Sequence, residues 1–243
     1  MATFVQLVER LRVEAAFPIP TISTLVGAND EVLRLANWVS DANADIERMD
    51  RDWKWMRGQA LAGVTAAGGM RYTPAQCGIT AGGHRRWRRE QAPLSGQQAY
   101  VVRAFEPSNP SNEWRVRELE RDVFTQRFLV GQHQAGAPQF WAEADNGDLL
   151  IGPTPDRNYT VRADYVRAVQ VLAADADAPG MPADFHSAVM WYALFTYAVD
   201  DASPEQITRA RLHYNRLESA LLRDQGVRIT ARMDALSTGA GFR

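Results

Sequence analysis

Four arginines and one indole fall within six consecutive positions, His84-Arg85-Arg86-Trp87-Arg88-Arg89, the densest local chemistry in the sequence. Guanidinium groups contact phosphate oxygens and an exposed indole stacks on a base or ribose, so such a run can hold nucleic acid. The same residues suit a strand edge in which Trp87 turns inward and the arginines keep the edge from pairing with another chain. Gly82 and Gly83 make the approach flexible, as a loop projecting toward DNA needs. Both readings stay open on the sequence.

Other candidate chemistry is thin. His84, His133, His186 and His213 lie far apart, without the HExxH or H-x3-5-H spacing that puts two imidazoles on one metal, so no metal site is expected. Cys77 has no CxxC partner or adjacent histidine and reads as a small apolar residue rather than a nucleophile. A G-x-S-x-G elbow, a phosphate loop and a dinucleotide fingerprint are all missing, and the one lysine, Lys54, stands between Trp53 and Trp55. The acidic pairs Asp50 with Asp52 and Asp200 with Asp201 come with no base or metal ligand and read as solvated faces. No catalytic residue, metal or cofactor is expected, and the chain reads as a non-enzyme.

Composition narrows the classes further. The chain has 243 residues, enough for one large domain or two small ones, and 46% are hydrophobic. Its 27 basic and 29 acidic residues nearly cancel, so any nucleic-acid contact has to be local. A single cysteine excludes a disulfide scaffold and a cysteine zinc cluster. No apolar run approaches the ~18 residues of a membrane helix, and Glu9 and Glu14 interrupt the first apolar pattern. The protein is therefore expected to be soluble and unprocessed, with no membrane partner.

The elements that would position the arginine run follow from periodicity. Phe4, Leu7, Val8 and Leu11 predict a short amphipathic helix that ends before Pro18. Asn29 reads as the N-cap of a second helix, with Asp30 and Glu31 in its first turn and Val32, Leu35, Ala36, Val39, Ile46, Met49 and Trp53 on one face for about six turns. From Gly58 onward glycines break the chain into short strands and loops. Gln139–Ala144 and Leu149–Gly152 form a predicted hairpin around Asn146-Gly147, whose tolerance of positive φ suits a type I′ turn. Tyr159, Val161, Ala163 and Tyr165 alternate with polar residues as a half-buried strand, and Leu119, Val123, Phe124 and Phe128 suggest a short helix between Arg117 and Gly131. Phe185, Val189, Tyr192, Phe195 and Val199 mark a helix apolar nearly all round, to be buried among several neighbours or against another subunit. Ser203-Pro204-Glu205-Gln206 starts the last helix as a capping box, with Ile207, Ala210, Tyr214, Leu217 and Leu221 facing the core and Gly226 as its stop. The weakly periodic stretch beyond is expected to be ordered only when something ties it down.

The resulting fold class is α+β, an antiparallel helical bundle from both chain ends with a β-rich insertion and an extended C-terminal tail. The expected divisions are 1–57 for the N-terminal helical part, 58–172 for the insertion, 173–226 for the C-terminal helices and 227–243 for the tail.

The order of these segments resembles the head-to-tail adaptor proteins of tailed bacteriophages, the connectors that bind beneath the portal. The resemblance is carried by FVQLVERLRVEA, the connector ending in Leu25-Val26-Gly27, LRLANWVSDANADIERMDRDWKWMRG, Arg71-Tyr72-Thr73-Pro74-Ala75 and Gly136-Ala137-Pro138. It continues through DLLIGPTPDRNYTVRADYVRAVQVL and Leu172 to Pro182 into FHSAVMWYALFTYA and RARLHYNRLESALL, and so covers most of residues 3 to 225. Gly82, Gly83 and the tail beyond Gly226 match least.

What this resemblance implies is a virion component at the head-tail junction, made in the host cytoplasm. It would dock on the portal as a ring of sister subunits, twelve by analogy, extend the channel for genomic DNA without sequence preference, and offer a platform to the next tail or nozzle protein. Trp38, Ile46, Trp53 and Trp55 would be scaffold residues. Local chemistry alone makes Arg85, Arg86, Arg88 and Arg89 candidates for the channel wall, and Val227, Ile229, Met233, Leu236 and Phe242 candidates for a portal-docking tail. The competing readings are a small DNA-binding accessory protein acting through His84 to Arg89, and an enzyme with a pocket between helices and insertion.

Overall fold

A computed structural model describes residues 1–49, 53–65, 69–89, 101–131 and 134–225. In chain order the elements are α1 (Phe4–Glu14), α2 (Asp30–Arg48), β1 (Arg57–Val64), β2 (Arg71–Tyr72), β3 (His84–Trp87), β4 (Val102–Glu106), β5 (Asn109–Arg115) and β6 (Arg117–Glu118). There follow α3 (Arg121–Phe124), β7 (Phe140–Glu143), β8 (Leu149–Gly152), β9 (Tyr159–Arg167), α4 (His186–Tyr197) and α5 (Pro204–Asp224). They fall into two compact units, one built from Met1–Trp55 together with the chain from Gln170 onward, the other from Met56–Val169.

In the first unit, α1 buries Phe4, Leu7, Val8 and Leu11, the four residues its periodicity marks. It ends where Ala16 turns to a φ of 54°. The Asn29 side chain accepts the Val32 N–H at 3.0 Å and so satisfies one of the free donors at the start of α2. The helix stops at Arg48, short of the expected six turns, because Met49 takes an extended ψ of 131°. Trp53 is not on its face. Instead it is buried beyond the end, and its indole N–H reaches back to the Ile46 carbonyl at 2.9 Å, one of the last-turn acceptors a helix leaves unpaired. α4 packs against α1, α2 and α5 and is the central helix. Its deepest residues are Ala188, Val189, Ala193 and Leu194, while Tyr192 and Phe195 of the expected stripe are only half-buried. The α5 start is the capping box read from the sequence: the Ser203 hydroxyl accepts the Gln206 N–H at 3.3 Å and Gln206 accepts the Ser203 N–H at 2.7 Å.

The bundle expectation fails. The described residues form a mixed fold in which the helices share the chain with two sheets of nine strands in all. Even the helical unit is no bundle, for two reasons. α5 packs chiefly on α4 and reaches α1 through the Arg209–Glu14 ion pair. The irregular segments flanking α2 and preceding α4 also supply core residues of their own, Ile19, Ile22, Leu25, Leu172 and Met181. These segments are knitted together by hydrogen bonds rather than by helix packing: the Asp175 carboxylate accepts from the Leu25 N–H at 2.9 Å and the Thr24 hydroxyl at 2.5 Å, and the Phe4 N–H donates to the Asp177 carbonyl at 2.6 Å. The expected extended tail, and Gly226 with it, lies outside the described residues.

In the second unit β9 is the hub of a five-stranded sheet. β1 pairs antiparallel along it from Arg57 opposite Val166 to Val64 opposite Tyr159. Its other edge is shared by β4 and β3, and β5 continues the sheet beyond β4. Tyr159, Val161 and Ala163 point inward, as their alternation predicts. The second sheet runs β2-β8-β7-β6, with β6 parallel to β7. Trp141, Leu149 and Ile151 from this sheet share one core with Val102, Ala104, Tyr159 and Val161 from the first. Its opposite face, Ala142 and Leu150, is covered by Phe124 and Phe128. These come from α3 and the wide helical turn Thr125–Leu129 after it, so the short helix read between Arg117 and Gly131 is present, over Arg121–Leu129. Arg117 and Glu118 are strand, and Val123 faces outward.

The β7–β8 hairpin exists, but its turn differs from the expected type. Gly147 has φ +83°, whereas Asn146 is not among the positive-φ residues. The Ala144 N–H pairs with the Asp148 carbonyl at 2.9 Å and the Gly147 N–H with the Ala144 carbonyl at 2.8 Å. That is a three-residue loop, a type I turn closed by a left-handed glycine, in which asparagine keeps ordinary φ.

Candidate nucleic-acid interface

The arginine run sits on β3 and the residues after it. Opposite β9, Trp87 aligns with Tyr165 and Arg86 with Val166, but His84 aligns with Arg167, so one extra residue, Arg85, is inserted into β3. Such a bulge breaks the two-residue alternation and re-aims the neighbouring side chains. As a result Arg85 and Arg86 are both exposed while His84 and Trp87 both lie on the inner side.

Trp87 is fully buried, its indole N–H donating to the Gly147 carbonyl at 2.9 Å. It therefore offers no stacking surface to a base. The His84 ring packs on Trp87 with centroids 4.7 Å apart, and burial holds its pKa below the ordinary histidine value. It contributes shape, not charge. Arg88 is drawn back against the sheet, 3.2 Å from the Asp164 carboxylate, and Arg89 lies 3.6 Å from Glu118. None of the four arginines is without a partner.

His84, Arg85, Arg89, Arg121, Glu143 and Asn146 line an open cleft of about 500 Å³ beside the hairpin turn. Burial raises the Glu143 carboxyl, opposed by the Trp87 N–H it accepts at 3.4 Å and by the charges of Arg89 and Arg86. Asp145 pairs with Arg121 at 2.8 Å and the buried Asp148 with Arg71 at 2.7 Å. The rim is thus a lattice of alternating charge, with Arg71 more exposed than Asp148 and Asp145 more exposed than Arg121. Chemically it can hold a phosphate by charge and hydrogen bonding, and among the described residues that line it there is no nucleophile with an adjacent base. The acidic neighbours Glu118, Glu143, Asp145 and Asp164 are what the sequence could not bring forward, because they come from β6, β7, the hairpin turn and β9.

The remaining candidates are dispersed. His186 is buried and satisfied, with Nδ1 at the Ala2 backbone and Nε2 3.0 Å from the Met181 carbonyl, and His213 stacks on Trp191 at 4.6 Å. Among the described residues no group of three or more His, Cys, Asp or Glu side chains could hold a metal ion. Cys77 is buried, and desolvation with the nearby Asp148 charge pushes its thiol up to about 11, far from a neutral-pH nucleophile. Lys54 does not face a phosphate site; its ammonium donates to the Asp224 carbonyl at 3.2 Å, at the negative end of α5. Of the acidic pairs, Asp201 bridges to Arg34 at 3.4 Å, and Asp50 and Asp52 lie outside the described residues. So do His133 and all five tail candidates, Val227, Ile229, Met233, Leu236 and Phe242. No helix among the described residues is long and apolar enough to cross a membrane.

These features define a two-unit α+β protein with a cluster of arginines and carboxylates exposed on its β unit. Residues 2–240 match the model of the SU10 adaptor protein family, and the chain belongs to that family of phage adaptors. No curated protein matches the chain.

Proposed function

We propose that the protein is a structural component of the virion, a head-to-tail adaptor that binds the portal as a ring, extends the DNA channel and presents a platform for the next tail protein. The observation that carries this reading is the family match along nearly the whole chain. A match that continuous leaves little of the sequence for a separate catalytic domain. In this reading the adaptor is not an enzyme, it contacts portal, sister subunits and a tail or nozzle protein, and residues 227–243 dock on the portal. Of the four candidate arginines, Arg85, Arg86 and Arg89 face passing DNA, each making a modest contact that a ring repeats, while Arg88 stays paired with Asp164.

The test is the mass of the purified protein by light scattering, alone and mixed with the portal ring of the same phage. Joining the portal in a fixed multiple, with loss of docking on deletion of 227–243 and no change in fold, is the expected result. A chain that ignores the portal yet binds duplex DNA with a steep salt dependence, lost on changing Arg85, Arg86 and Arg89 to Gln, rejects the adaptor role in favour of a DNA-binding accessory protein.

A further inference from the structure

The first unit carries two surfaces that are unfinished in a single copy. One is an apolar groove of about 780 Å³ lined by Leu33, Asn37 and Asp41 of α2 together with Val26, Val171 and Asp175. Its apolar walls face water, with Val26 83%, Val171 69% and Leu33 42% exposed. On α2 the spacing of three and four residues places Asp30, Leu33, Asn37 and Asp41 along one line, a leucine between two carboxylates. Neither Asp30 nor Asp41 has an ion pair among the described residues.

The other surface is the outer side of α5. Ala210, Tyr214 and Leu221 face the core, and Arg209, Leu212, Arg216 and Arg223 run along the opposite side at helical spacing. Leu212 is 66% exposed, a leucine between guanidiniums. Arg209 is held by Glu14 at 2.6 Å, while Arg216 and Arg223 have no ion pair among the described residues. α2 and α5 both turn other faces to α4, so the two surfaces cannot cover one another within one chain.

We propose that the subunits of the ring meet here, α5 of one copy lying in the groove of the next with Leu212 against Leu33 and its arginines against Asp30 and Asp41. The inference rests on the ring reading above and names its interface. Charge decides the partner. Pairing α5 with α5 about a two-fold axis would set arginine rows against each other, whereas α5 in the groove pairs opposite charges and covers both leucines. A contact between two different patches of the same chain is heterologous, the kind that closes into rings when its rotation allows.

The experiment uses the full-length chain carrying Leu33→Cys and Leu212→Cys, treated at high protein concentration with a short thiol-reactive cross-linker; Cys77 is buried and stays silent. A ladder of covalent dimers, trimers and higher species is expected, with each single-cysteine chain stopping at dimer. Arg216→Glu should reduce the ladder severalfold, and adding Asp41→Arg in the same chain should restore it. Every variant is first checked for a wild-type circular dichroism spectrum and melting midpoint. A ladder no stronger than that from cysteines at Leu61 and Val123, exposed positions of the other unit, overturns the interface. So does a ladder indifferent to Arg216→Glu, or loss of duplex DNA binding as the sole effect of that change. If the chain still joins the portal in a fixed multiple while the ladder fails, only the interface is wrong. A chain that gives neither has lost the ring as well.

Discussion

The two units solve the same packing problem with different degrees of closure. The β unit buries Trp87, Trp141, Tyr159 and Phe124 to at most 1% exposure, and its second sheet is covered on both faces. The helical unit keeps Trp191, Tyr192 and Phe195 half-buried on its central helix and leaves a groove open beside α2. A polypeptide that must present a fixed charged rim needs a rigid support, and one that must assemble needs surface still to bury. On the proposed reading, the difference separates the charged rim from the surface at which subunits would join.

Three perturbations break or sharpen that contrast. The largest effect belongs to Trp87→Ala, which empties a fully buried site and strands the Gly147 carbonyl; a loss of about 3–5 kcal/mol is expected for such a truncation. Thermal unfolding should show the tertiary signal of the β unit melting early while the helical far-UV signal persists. Simultaneous loss of both would show the units to be one cooperative block. Asn29→Ala removes the α2 cap and should cost about 1 kcal/mol, read as a lower urea midpoint of the helical signal; an unchanged midpoint would mean that water replaces the cap at no cost.

The smallest effect is a difference in the sign of pH dependence. In the helical unit the hydrogen bond from Arg12 holds the Glu9 carboxyl below the ordinary range, aided by the Ile22 N–H. Its stabilisation is present above the ordinary carboxylate pKa and is lost as pH falls through the lowered folded value. In the β unit Glu143 is raised by burial, so its contribution is most favourable below the ordinary pKa and declines as pH rises through the raised one. Glu9→Gln should thus lower the urea midpoint at neutral pH and converge with wild type in acid. Glu143→Gln, which keeps an acceptor for the Trp87 N–H, should match or exceed wild type at neutral pH and converge in acid. Changes of the same sign would refute the opposite environments assigned to the two carboxylates.

Local signals in the sequence are legible where a single element decides the outcome. The Asn29 cap, the Ser203 capping box, the buried stripe of α1 and the alternation of β9 all depend on neighbours within a few residues. What stays hidden depends on partners far along the chain. Trp53 continues the α2 period, yet its indole is needed beyond the helix end to meet the Ile46 carbonyl. The apolar spacing of helices predicts a bundle, but core places go to Ile19, Ile22 and Leu172 of irregular segments, anchored by Asp175. At the arginine run the residue types are plain. The bulge that exposes Arg85 and Arg86 and turns Trp87 inward is set by register against β9, which no residue within the run encodes.

The placement of β9 at the hub of its sheet has a consequence for synthesis on the ribosome. The strand that β1, β3 and β4 all require is the last strand of its unit to emerge, and the helical unit cannot close until α4 follows it. At about 5–20 residues per second, the apolar stripes of α1 and α2 wait on the order of ten seconds for the helix they pack on. During that interval the nascent N-terminal segment is the natural client of a chaperone, and the inserted unit completes first although its chain begins second.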